Sequence, residues 1–101
     1  MPAPRHPGLE LREQLERLAI SQAELASFIG VLPSKLSMVI HGKRGIAPQL
    51  AWLLSMALGT SPMFWMKRQA LWDLHQCKPK VQLPRLRPHP EPDSPLGRVQ
   101  Q

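Results

Sequence analysis

The sequence contains one cysteine, Cys77, among 101 residues. No internal disulfide can brace it, no cysteine cluster can hold a metal, and a lone thiol fits a reducing cytoplasm. No apolar run approaches the ~20 residues that cross a bilayer. The start, Met1 to Pro7, lacks the apolar centre of a secretory signal, so the chain is expected to be cytoplasmic and to make no membrane contact. Its histidines, His6, His41, His75 and His89, are scattered, which leaves no ligand set for a metal. Asp73, His75 and Cys77 are close in sequence, but on a helix they point in different directions. With no paired carboxylates and no phosphate-cradling glycine loop beside them, the composition excludes an enzyme and calls for no cofactor. There are no internal repeats. A chain this short is one small domain whose core is marginal without association, and dimerisation is the simplest way to bury more surface.

The formal net charge is +6 and the pI near 10.5. Such a balance favours a polyanionic partner, nucleic acid before anionic membrane. Residues 1–77 hold eight Lys and Arg against five acids, and residues 78–101 hold five against two. The first part is only mildly basic overall, so placement matters more than the total. Glu10, Glu13 and Glu16 lie together near the start, which leaves Lys35, Lys43 and Arg44 concentrated around one stretch.

That stretch is SQAELASFIGVLPSKLSMVIHG, Ser21 to Gly42. Ser21 is a good N-cap, and Glu24 three positions later completes a capping box, so a helix should begin at Gln22. It should stop near Gly30, where the missing Cβ permits positive φ. Pro33 suits the first turn of a second helix, which Gly42 closes. Leu25, Ala26 and Ile29 on the first helix, and Leu36, Val39 and Ile40 on the second, have the spacings two crossed helices need. Small Ala26, a glycine turn four residues on, and apolar anchors at Leu36 and Val39 form the helix-turn-helix signature. Double-stranded DNA is the expected partner. The following loop, Lys43-Arg44-Gly45-Ile46, is basic and glycine-flanked, and is expected to meet phosphates.

Around this motif, residues 1–6 read as a flexible leader and residues 7–77 as one all-α domain. A bracing helix from Pro7 or Gly8 to Leu18 lays Leu11, Leu15 and Leu18 on the core. Ile20 is placed for a hydrophobic staple. A fourth helix should run from Ala47 or Pro48 to Leu58, and is apolar nearly all round: Trp52, Leu53 and Met56 exceed what one small core can cover. A fifth should open at Ser61-Pro62 and reach about Cys77. Its Met63, Phe64, Met66, Ala70, Leu71 and Leu74 read as the core face. Trp65 and Trp72, beside Gln69, then lie opposite, as a dimer or partner surface. Six of the twelve prolines fall after Lys78, so 78–101 reads as a basic tail, disordered or extended.

HPG at His6–Gly8, SQAELA from Ser21, HGKRGI from His41 and GTSPMFWMKRQALWDL from Gly59 together resemble the HigA-type antitoxins, a branch of the phage-repressor-like helix-turn-helix regulators. The resemblance spans about His6 to His75. It implies a five-helix, lambda-repressor-like dimer that binds the operator of its own operon and sequesters a small toxin, usually a RelE-like mRNA endonuclease. It also implies a phosphate contact for Gln22 and base-facing positions at Pro33, Ser34, Lys35, Ser37 and Met38. This chain departs from the pattern at Leu32 and Ala47, where Ser or Thr is frequent, and direct readout rests on Ser34, Lys35 and Ser37. Two other binding proteins fit the same residues: a stand-alone repressor whose apolar platform serves its own dimer, and a protein-binding module with a weakened DNA face.

Overall fold

The computed structural model describes residues 3–87. Five helices follow in order: α1 (Pro7–Leu18), α2 (Gln22–Ile29), α3 (Pro33–Ile40), α4 (Pro48–Leu58) and α5 (Pro62–Gln76). No strand occurs among the described residues. Residues 78–87 carry neither helix nor strand and are exposed; the remainder of the expected tail, 88–101, lies outside the described residues.

The helix limits follow from local chemistry. The Ser21 hydroxyl accepts from the Glu24 N–H at 3.0 Å, and the Ser61 hydroxyl from the Phe64 N–H at 3.0 Å, each satisfying a first-turn donor. Proline stands in the first turn of α1, α3, α4 and α5, where a missing N–H costs nothing. Gly30 closes α2 in the left-handed region, at φ 72°. Leu32 caps α3 and Ala47 caps α4 without any side-chain hydrogen bond.

The core draws on every helix. Leu11 and Leu15 of α1, Leu25 and Ala26 of α2, Leu36, Val39 and Ile40 of α3, Ala51 and Leu54 of α4, and Trp65 of α5 are buried together with Ile46 from the loop before α4. Each large aliphatic side chain buried here contributes about 1.5–3 kcal/mol. α3 lies between α1 and α2, while α5 packs on α4 and α1. Gly8 permits the α1 and α3 approach: a Cβ there would lie 1.9 Å from the Val39 carbonyl oxygen. Ile20 is partly buried against the cluster.

Some residues depart from expectation. Of the expected leader, residues 3–6 are described, and there Arg5 pairs with Glu13 at 2.7 Å and His6 is buried as the N-cap of α1. Leu18, expected on the core, is 51% exposed. The facing of α5 also differs in part: Phe64 and Met66 pack against the core as expected. Trp65 is 0% exposed and Gln69 is buried, whereas Met63, Leu71 and Leu74 of the supposed core face are exposed.

Candidate nucleic-acid interface and flanking apolar surface

The pattern of α3 sets its two sides. Leu36, Val39 and Ile40 are buried, which turns Pro33, Ser34, Lys35 and Met38 outward and leaves Ser37 half-buried. Gln22, the first residue of α2, is exposed as well. His41 is the C-cap of α3, with its Nδ1 2.8 Å from the Ser37 carbonyl and 3.3 Å from the Ser37 hydroxyl. A carbonyl can only accept, so Nδ1–H donates to it. The Ser37 side chain is therefore held in a local contact, and Ser34 and Lys35 are the polar groups most open to a groove.

After His41 the chain reverses. Gly42 takes φ 75°, and the Lys43 N–H donates back to the Met38 carbonyl at 2.8 Å. This closure satisfies an orphan carbonyl at the end of α3 and turns Lys43 and Arg44 outward, both exposed. The three ion pairs among the described residues are Arg5–Glu13, Arg12–Glu16 and Arg17–Glu10, all at α1. Lys35, Lys43 and Arg44 have no acidic partner there, so their charge remains available to an external anion.

The loop is fixed from behind by α5. The Ile46 N–H donates to Gln69 Oε1 at 2.7 Å, and Gln69 Nε2 donates to Asp73 Oδ1 at 2.8 Å. Gly45 passes so close that a Cβ there would stand 3.0 Å from Gln69 Nε2. His6 reaches the same region: its ring meets Trp72 edge-on at 5.3 Å, and a Cβ on Gly42 would lie 3.7 Å from it. Burial pushes the His6 imidazole below its ordinary pKa, opposed by the Asp73 carboxylate and by a backbone hydrogen bond at Arg44.

The expected partner surface divides. Trp52 (59%) and Met56 (70%), one turn apart on α4, are exposed as expected. Leu53 is half-buried and lines a groove with Ile29, Leu32, Lys35 and Arg44. Trp65 belongs to the chain's own interior, where its Nε1–H donates to Thr60 Oγ1 at 2.7 Å and its ring meets Phe64 edge-on. Gln69 is the clamp on the loop, and Trp72 is half-buried against His6. Neither Trp65 nor Gln69 is on a free surface, which corrects the sequence reading. Apolar spacing does not reveal the bracing role of His6 and Gln69; for His6 the local signal is the HPG run.

Five helices, a crossed α2–α3 pair presenting one polar face and a basic loop at its end define a lambda-repressor-like DNA-binding protein of the helix-turn-helix class. A helix-turn-helix family profile matches residues 11–65, and the chain belongs to that family, one of DNA-binding regulators rather than enzymes. Virulence-associated protein A' of Dichelobacter nodosus is 42% identical over 88 residues, covering 82% of this chain and 76% of that protein. An addiction module antidote protein of the HigA family from Coxiella burnetii superposes with a TM-score of 0.71 at 30% identity, over 74% of this chain and 83% of that one. PA4674 of Pseudomonas aeruginosa, solved with its operator DNA, gives a TM-score of 0.71 at 34% identity, over 74% and 82%. The fold is thus antitoxin-like. No helix among the described residues is long and apolar enough to cross a membrane.

Proposed function

We propose that this protein is the antitoxin and autorepressor of a toxin–antitoxin pair, binding its own operator as a homodimer and neutralising a RelE-like mRNA endonuclease. The observation that carries the DNA half is the face on which Gln22, Pro33, Ser34, Lys35, Met38, Lys43 and Arg44 are all exposed, its cations free of acidic partners among the described residues. Ser37 sits at its edge. α3 enters the major groove, and Ser34 and Lys35 read base edges while Met38 offers an apolar contact to a thymine methyl. Gln22, Lys43 and Arg44 hold phosphates on either side. The dimer repeats these contacts about 34 Å away along the DNA. A relative of the same fold solved with its operator supports this reading.

The toxin half is supported by the antidote relative and by the exposed apolar side chains of α4 and α5. Binding to the DNA upstream of its own reading frame, followed by fluorescence anisotropy across a salt series, tests the first half. Lys43→Ala with Arg44→Ala is expected to weaken binding to every duplex and to lower the salt slope by roughly one per cation removed from each protomer. An unchanged slope removes the loop from the interface. For the second half, the adjacent reading frame is expressed alone and with this protein. Growth arrest relieved by co-expression is expected, and a harmless neighbour leaves a stand-alone repressor.

A further inference from the structure

We infer that His6 is a positioning residue for DNA binding: its neutral imidazole ties the start of α1 and Trp72 of α5 to the basic loop that follows α3. The inference rests on the proposed contact between that loop and phosphate. His6 lies far in sequence from the helix-turn-helix, yet its ring joins three separate parts of the chain. Nδ1 accepts from the Gly8 N–H at 2.9 Å and so caps α1. The ring packs edge-on against Trp72, with the centroids 5.3 Å apart. On its remaining side it borders the loop, where a Cβ on Gly42 would lie 3.7 Å from the ring. With Nδ1 accepting, Nε2 carries the proton, and the Arg44 backbone favours a proton on the ring.

The loop is therefore backed by the His6 ring at Gly42 and held by Gln69 at Ile46, while the Arg44 guanidinium remains exposed. A pre-set backbone spares the ordering cost of placing Lys43 and Arg44 on a phosphate. Protonating His6 places a proton on Nδ1, which ends its acceptance from Gly8 and puts a donor against a donor. The charged groups around it are Arg5 and Glu10 from the α1 side, Arg44 from the loop, and Lys67, Arg68 and Asp73 from α5. Asp73 favours the protonated ring, but its carboxylate is already engaged by Gln69. Burial of the ring outweighs both Asp73 and the Arg44 backbone and opposes protonation.

His6→Asn separates capping from bracing, because an asparagine oxygen caps a helix well but does not span to Trp72 and Arg44. Amide hydrogen exchange and duplex binding by anisotropy are followed on the full chain from pH 8 to pH 5. In the parent protein, protection factors at Lys43 and Ile46, corrected for intrinsic exchange, are expected to fall below about pH 6.5, ahead of those in the α2 and α3 core. The Asn variant is expected to keep α1 protection, to lose roughly fivefold to tenfold of loop protection at pH 8, and to show no further fall with acid. Duplex affinity should drop in parallel. Loop protection unchanged by the substitution, or a pH profile shared by parent and variant, overturns the brace. Loop protection lost with affinity retained upholds the brace and sinks the loop's contact with DNA.

Discussion

Gln69 shows how much one side chain can decide. Its amide oxygen serves the Ile46 N–H, which lies on a residue only 1% exposed, so no water can take its place. Gln69→Leu is expected to destabilise the fold by about 1–3 kcal/mol, the cost of a buried donor without an acceptor. Urea unfolding reads this directly, and a loss below ~0.5 kcal/mol would show that the loop finds another acceptor. His6 contributes a pH dependence whose sign follows from its depressed folded-state pKa. Below the unfolded value of about 6.5 the unfolded chain binds more protons than the native one, so stability falls as pH drops through that value towards the folded pKa, and is fully present above it. The His6→Asn variant should lack this component in the difference between its unfolding curves at pH 7.5 and pH 5.5. Neither role follows from apolar periodicity. Trp65, Gln69 and Trp72 share a stripe on α5, but Met63, Ala70, Leu71 and Leu74 make another that is equally apolar, and periodicity cannot choose between two qualifying faces. What chose was volume and hydrogen bonding: Trp65 fills the interior with its N–H satisfied by Thr60, and Gln69 accepts from the buried Ile46 N–H.

The limits of the elements were far more legible. Ser21, Pro33, Pro48 and Ser61-Pro62 mark starts, Gly30 and Gly59 mark stops, and each acts within one turn of itself, so no distant partner is needed to read it. The packing of α2 across α3 follows from Leu25, Ala26, Leu36 and Val39, all buried. Two starts, those of α3 and α4, lack a side-chain cap. Leu32 occupies the N-cap of α3 with no side-chain acceptor, so the first-turn amides are not capped by a side chain, and its own apolar chain is exposed. Leu32→Ser is therefore expected to stabilise the protein by roughly 1 kcal/mol, raising Tm by about 4–8 °C for a domain of this size. A melting point unchanged or lowered would mean that Leu32 contributes through packing in the groove it shares with Leu50 and Leu53. The same substitution places a hydroxyl beside Ser34, where it is expected to strengthen duplex binding. Affinity and stability can be compared in one preparation.

Across the whole molecule, charge and apolar surface are divided. The cations of α1 are matched by its own acids, the cations of the loop are left for a polyanion, and α4 and α5 keep large side chains outside. Composition alone gave the basic balance and the excess of apolar side chains, because both are totals. The direction in which α5 presents its excess is a property of the packed chain. Trp52 and Met56 are separated by one turn of α4 and are mostly exposed, which makes them the apolar side chains of α4 open to a partner. Met56→Lys tests whether that partner is a second copy. Because Met56 is exposed, the change should alter the stability of an isolated protomer by no more than about 0.5 kcal/mol, and helicity by circular dichroism should be unchanged. A charge placed in a copy-to-copy interface must either be desolvated or hold the surfaces apart. Sedimentation is expected to shift from dimer towards monomer, and affinity for a two-half-site duplex to fall towards that for a single half-site. A dimer that withstands Met56→Lys would move the contact to Met63, Leu71 and Leu74 on the outer face of α5, and would leave the α4 surface for the toxin.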